Sequence, residues 1–502
     1  MSLSKNIDNN IQYLLNVFKE CGDFVKKELF IGKDFNIKLF LCYFDLLTDR
    51  SLIERSIIDS LMIGMKEAET FLNKEDFNLF DIIKKQGITT IDYSENDDLE
   101  TIILAVLSGD SVLFVENSTQ ALIISTKGFP NRGIPTAENE VVLEGSRESF
   151  SEVFRFNTVL IRRRIRDTNL KLYQTKVGTR SNTDIGIMYM EDLVHKDVLN
   201  DIIKKLSTTN IDGVFDLSYL AEIPFKKKVS PFPQLQKTER PDKAASALLE
   251  GRIVIVMDNT PQVLILPTTF GVLFQSSEDY YDTFILSSAI RILRYISFFI
   301  AISLPGIFLA VTIYNPSLIS KILMYKISAT RETVPFSPLT EVLLMELAFE
   351  LLREAGLRLP TRIGGTLGIV GGLIIGQSAV EAGLTSPTVV IIVALTAMST
   401  FAIPSLTLTN GIRITKYFIT VLSGLFGFLG LTLSIVLVFI HLMSLNSFGI
   451  PYMYPFVSHI NDFTDYKDTV LRYPLNKMTK RPIFTKNSQK TRQRSDKNEF
   501  FK

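Results

Sequence analysis

Apolar and polar residues are distributed unevenly along this 502-residue chain. Four uncharged apolar stretches, 295–314, 363–380, 387–406 and 417–440, crowd into its last two-fifths, and almost nothing comparable precedes Leu286. At about 1.5 Å of rise per residue, each is long enough as a helix to cross a hydrocarbon layer of roughly 30 Å. The pattern therefore predicts a large soluble α/β front half followed by an all-α polytopic membrane domain with about four spanning helices.

The front half carries an internal repeat. Residues 107–126 (LSGDSVLFVENSTQALIIST) align without a gap on 249–268 (LEGRIVIVMDNTPQVLILPT), with eight of twenty positions identical. Each copy predicts a helix ending at a glycine, Gly109 or Gly251, that can take the left-handed cap conformation. Two apolar strands follow, joined by a turn at 116–118 or 258–260. Two related helix-and-hairpin units thus bracket a mixed α/β region, with a helix expected over 146–170, strands over 172–177, 185–189 and 213–217, and a second helix over 195–206. Residues 1–100, with Leu, Ile and Phe at three-to-four spacing, read as mostly helical. The prolines of 224–241 predict an extended connector. The resulting division is 1–100, a mostly helical N-terminal region; 101–285, a mixed α/β domain; 286–445, the membrane domain; and 446–502, a basic tail expected to be partly disordered.

Composition narrows the chemistry. A net charge of +1 favours no polyanionic partner, and no nucleic-acid role is expected. Cys21 and Cys42 are too few for a disulfide framework, and His195, His441 and His459 are scattered, so neither a metal centre nor a cofactor is expected. No grouping of nucleophile, base and orienting residue appears, which argues against an enzyme. Charges interrupt every apolar run of the first thirty residues, so no signal peptide is expected and the front half is placed in the cytoplasm. Arg162, Arg163, Arg164 and Arg166 invite an anion-site or lipid-headgroup reading, but a basic face paired to Glu148, Glu152 or a partner protein explains them more simply. Arg291 and Arg294 are expected at the cytoplasmic mouth of the first spanning helix.

The segments SRESFSEVFRFNTVLIRRRI, FPQLQKTERPDKAASALLEGRIVIVMD, AIRILRYISFFIAISLPGIFLAV, LLMELAFELLREAGLRLP and IVGGLIIGQSAVEAGLTSPTVVIIVALTAMSTFAIPS resemble the spore germination protein family, the A subunit of GerA-type nutrient germinant receptors. The similarity runs from about Gly128 to about Leu445. It implies a multi-pass protein of the spore inner membrane, acting with a transporter-like B subunit that senses nutrient and a lipoprotein C subunit. It also implies homo-oligomers of the A subunit that conduct ions. A non-conducting scaffold that transmits the signal is the alternative, and a secondary transporter is a weaker third.

Several residues bear on conduction. Gly364, Gly368, Gly372 and Gly376 recur every fourth residue, a stripe that lets helix backbones approach closely in lipid. Gln377 and Glu381 lie one turn apart on the same helix, where a glutamate needs water or a partner, or else sits at the headgroup boundary. In 339–359, Glu346, Glu350 and Arg353 fall on one stripe, expected to line a vestibule or to lie at the membrane surface with its charges in water rather than to span. Pro305 and Gly306 mark a kink in the first spanning helix that serves as a hinge or as a packing accommodation. With four spans both chain ends are cytoplasmic, and the tail agrees: 467–502 holds eleven Lys or Arg against three Asp or Glu, a composition suited to anionic lipid.

Overall fold

The computed structural model describes residues 2–31, 37–64, 79–89, 92–128, 137, 140–142, 144–225, 229–358, 371–372, 374–457 and 465–492. The chain forms two compact units, one of residues 1–226, 237–267 and 480–492, the other of residues 227–236, 268–479 and 493–502.

The first unit holds two five-stranded sheets with the same strand order. In one, β1 (Phe24–Ile31), β2 (Ile37–Phe44), β4 (Ser111–Val115), β5 (Ala121–Ile124) and β3 (Tyr93–Asn96) lie side by side in that sequence. In the other, β6 (Leu170–Val177), β7 (Thr183–Met190), β9 (Ile253–Met257), β10 (Val263–Leu266) and β8 (Gln236–Thr238) repeat the order. Residues expected to be mostly helical therefore supply three strands, and a boundary at residue 100 runs through the first sheet. For β2 the reason is burial on both faces, which makes a strand read as a continuous apolar run, whereas the edge strand β1 leaves Lys26, Lys27 and Glu28 exposed. Phe40, Cys42 and Phe44 of β2 pack under α1 (Ile7–Val17) and α2 (Leu99–Leu107), while Leu39 and Leu41 meet Ile53, Ile57, Leu61 and Ile83 on the opposite face.

The second sheet is served by α3 (Phe154–Arg162), α4 (Lys196–Ser207), α5 (Leu217–Glu222) and α6 (Pro241–Leu249). α3 is much shorter than the helix expected over 146–170. The strand expected over 213–217 does not form, because Asp216 instead caps α5 by accepting the Ser218 amide at 2.7 Å.

The repeat is visible in the backbone. After α2 and α6 come Gly109 (φ +95°) and Gly251 (φ +83°), and each hairpin turn holds an asparagine in the left-handed region, Asn117 (φ +61°) or Asn259 (φ +65°). Each glycine corner is closed by a different segment. A Cβ on Gly109 would lie 2.7 Å from the Leu47 carbonyl oxygen, and one on Gly251 would lie 2.9 Å from that of Phe484. The tail residues 480–492 accordingly belong to the first unit. Thr485 Oγ1 donates to the Glu250 carbonyl at 2.7 Å, and the Lys486 amide donates to Leu193 at 3.0 Å.

The second unit is helical. α7 (Phe284–Leu309) runs on into a wider turn, Ala310–Tyr314; α8 (Lys321–Arg331), α9 (Pro338–Arg358), a helical segment over 374–381, α10 (Pro387–Phe401) and α11 (Leu406–Ser444) follow. Among the described residues, Phe284–Tyr314 and Leu406–Ser444 are the helices long and apolar enough to cross a membrane.

α11 is not a single rod. Gly427 leaves helical geometry at φ +59°, ψ −137°. A straight helix would hold Gly411 and His441 about 45 Å apart. Yet a Cβ on Gly411 would lie 2.5 Å from the Pro231 carbonyl, and His441 Nε2 is 2.7 Å from Oγ of the adjacent Ser230. The arms 406–426 and 428–444 thus fold back as a hairpin, Gly430 lying against the Leu422 carbonyl. The stretch 417–440, expected as one crossing, straddles its tip. Tyr314 seals the tip by donating its hydroxyl to the carbonyls of Gly424 at 3.1 Å and Leu425 at 2.6 Å.

Two apolar clusters give the unit a proximal and a distal end. Phe270, Phe274, Phe298, Ile403, Leu408, Leu442 and Tyr452 cluster where α7 begins. Phe308, Leu309, Val342, Val389 and Val393 cluster where it ends. α7 therefore runs from the proximal to the distal end, and α9 and α10 run back toward the proximal end.

Candidate functional site in the helical unit

The acidic residues of α9 face basic residues from elsewhere in the same unit. Glu341, fully buried, accepts hydrogen bonds from the Ser386 amide at 2.5 Å, Ser386 Oγ at 2.6 Å and Thr385 Oγ1 at 3.1 Å, with Arg331 Nε 3.4 Å away. One and two turns on, Glu346 lies 2.7 Å from Lys416 Nζ, and Glu350 accepts from Arg413 Nε at 3.1 Å and from its Nη2. Glu346 is 1 % exposed, so it does not keep its charge in water as expected of a surface helix. The physical reason is pairing: Lys416 and Arg413 of the first hairpin arm compensate the carboxylates, which would otherwise be expensive to bury. Arg353 stands apart, with its guanidinium 5.9 Å from the centre of the Phe401 ring.

The glycine stripe is seen in part. Gly364 and Gly368 lie outside the described residues. Among the described residues, Gly372 has no heavy atom within 4 Å of where a Cβ would sit, and a Cβ on Gly376 would touch Val390 at 3.6 Å. Gln377 Nε2 donates to Glu381 Oε1 at 2.8 Å, and both side chains are exposed on the surface of the single chain. Glu381 ends its helix, and Gly383 at φ +63° turns the backbone toward α10.

Pro305 and Gly306 are buried within α7, which continues through both. A Cβ on Gly306 would meet Ser423 Oγ at 2.7 Å and Ile419 at 3.2 Å. The missing side chain is what lets α7 and the first hairpin arm touch.

A further charged cluster lies at the proximal end. Asp279 accepts from Arg291 Nε at 2.7 Å and Arg294 Nη1 at 2.8 Å, while Arg291 Nη1 also donates to Asp468 at 2.7 Å. Sequence reasoning found both arginines but not these partners. Nor did it find Glu341, Arg413 or Lys416, whose one signal was the presence of lone charges at the margins of apolar helices.

Residues 12–484 match the family described as Bacillus/Clostridium GerA spore germination protein. This chain belongs to the GerA spore germination family. Spore germination protein KA of Bacillus subtilis (strain 168) is 36 % identical to this GerA-family chain over 494 residues, covering 98 % of the chain and 89 % of the relative. A membrane protein of the same organism, YfkQ, is 36 % identical over 482 residues, covering 96 % and 91 %. The crystal structure of the N-terminal domain of the A subunit of the Bacillus megaterium spore germinant receptor GerK3 is 27 % identical, with a TM-score of 0.43, covering 54 % of this chain and 98 % of that one. The match of residues 12–484 extends well before Gly128, into residues where the sequence alone offered no motif.

Proposed function

We propose that this GerA-family chain is the A subunit of a nutrient germinant receptor in the spore inner membrane, and that its copies assemble around a shared cation path. In this reading the helical unit crosses the bilayer an even number of times, with α7, α9, α10 and the two arms of α11 among the crossings. An even number returns the chain to the side on which it entered. The backbone bond from the Phe270 amide to the Tyr452 carbonyl, 2.7 Å long, supports this by joining the two ends of the helical unit. α10, at fifteen residues, is about 22 Å long and fits a locally thinned bilayer.

The observation that carries the conduction reading is the exposed, hydrogen-bonded pair Gln377 and Glu381. The other carboxylates of this unit named above find cations or hydroxyls within it, whereas this one is left on an outer face with Gln377 as its partner. In lipid such a face requires water or a second copy, and a ring of them around an axis supplies both. Nutrient recognition then falls to the B subunit, with the lipoprotein C subunit completing the complex.

Spores carrying Glu381→Gln in place of the native chain test this. Potassium release after a nutrient challenge is expected to slow while the protein's abundance in the inner membrane stays normal. Normal release with normal abundance favours the scaffold reading, in which conduction belongs to another subunit.

A further inference from the structure

One cavity in the helical unit is used neither by the charge pairs nor by the Gln377 and Glu381 face. It lies between α9, residues 371–376 and α10, has a volume of about 560 Å³, and is lined by Phe349, Leu352, Gly372, Val393 and Ala397 with Arg353 among them. The size falls within the roughly 300–1,000 Å³ of ordinary ligand pockets. Gly356 and Gly372 add no side chain to its wall, and among the described residues neither has a heavy atom within 4 Å of where a Cβ would sit. Met398 and Phe401, 68 % and 63 % exposed, stand at its mouth, so the cavity opens sideways from the helices rather than along them.

Arg353 gives the cavity a charged end. Phe401, whose ring lies near the guanidinium, is two residues from Ile403 of the proximal cluster, which puts this cation near the proximal end. Glu350, one turn back, is already engaged by Arg413, and among the described residues no carboxylate lies within ion-pair distance of Arg353. An apolar slot with a cation at one end matches an amphipathic anion. A small free anion has no use for the slot, and a neutral headgroup leaves the guanidinium without a partner.

We propose that this cleft holds an acyl chain of an anionic phospholipid, with the lipid phosphate on Arg353. The proposal rests on the membrane-spanning reading of the helical unit. Guanidinium and phosphate pair through two parallel N–H to O bonds, which a zwitterionic lipid offers with less net attraction. Bound in this way, the lipid ties α9 to α10 beside the Gly372 face and couples the receptor to the anionic lipid content of its membrane.

The full-length chain in phosphatidylcholine vesicles, doped with trace photo-crosslinkable phosphatidylglycerol or phosphatidylcholine, tests it. The phosphatidylglycerol probe is expected to label peptides of 345–356 and 390–401 preferentially. Arg353→Gln is expected to lower that labelling by about tenfold, and Ala394→Trp, which fills the slot, to abolish it. Circular dichroism and retention after an alkaline carbonate wash control for folding and insertion of each variant. Equal labelling by both probes, labelling indifferent to Arg353→Gln, or crosslinks from the cleft to a second copy instead of lipid would overturn the proposal with the membrane reading intact. Loss of the wild-type chain in the carbonate wash overturns both.

Discussion

The two units bury charges by the same device and finish their surfaces in different ways. In the α/β unit, Arg162 Nη2 donates to Asp23 at 2.7 Å and its Nη1 to the Leu170 carbonyl at 3.3 Å, with the guanidinium 4.4 Å from the Phe44 ring. Burial works against the charged guanidinium, but the Asp23 carboxylate outweighs it and raises the arginine pKa. The pair bridges the first sheet, through Asp23 beside β1, and the second, through α3. In the helical unit Glu346 and Lys416 do the equivalent for α9 and α11. Yet this unit leaves Leu429, Met398 and Phe401 outside, each more than 60 % exposed, together with Glu381. The α/β unit also leaves apolar residues outside, Phe215 at 67 % and Val141 at 70 %, but in the helical unit they lie along apolar helices, which suits the membrane-spanning reading proposed above.

The comparison breaks most readily at its ion pairs. Lys416→Met is expected to destabilise the helical unit by about 3–5 kcal/mol, because it strands Glu346, and adding Glu346→Leu should restore most of the loss. Thermal unfolding of the detergent-solubilised chain reads both, and failure of the double variant to recover would mean that the pair does more than neutralise itself. Asp23→Ala, by stranding Arg162, should cost a similar 3–5 kcal/mol or so, now in the α/β transition.

A smaller effect separates the hairpin from a continuous helix. Gly427→Ala should cost about 1–3 kcal/mol, since its φ of +59° suits glycine and a Cβ would lie 2.7 Å from the Tyr314 ring. A continuous helix would instead be strengthened by alanine, so a gain in stability would contradict the hairpin. The smallest effect is acidic. Burial raises the Glu148 pKa, but Arg164 and Arg163 outweigh it, so its folded value is depressed. Its contribution is therefore present above the unfolded carboxylate pKa and fades as pH falls through the lower folded value. Being half exposed, it should amount to less than about 1 kcal/mol, and Glu148→Gln should flatten that part of the pH–stability curve.

What was legible follows from whether a feature is local. The helix, glycine and hairpin of each repeat could be read because the same short pattern occurs twice. β2 was misread because a strand covered on both faces loses its alternation. The hairpin in α11 was hidden because glycine is common in membrane helices, and only Gly427, among Gly424, Gly427 and Gly430, leaves helical geometry. Glu346 and Glu350 were found, but their cations lie more than sixty residues on, and no local pattern pairs them. Arg162 illustrates the reverse: its neighbours Arg163 and Arg164 pair with Glu148 as a basic face would, while Arg162 itself turns inward to Asp23.

Potassium efflux from liposomes bearing the purified chain, followed with an electrode, tests the cation path most directly. Leakage from the wild type that Glu381→Gln alters without loss of incorporation is the predicted result. A wild-type chain that stays silent, even with its B and C partners and a nutrient mixture present, would contradict it.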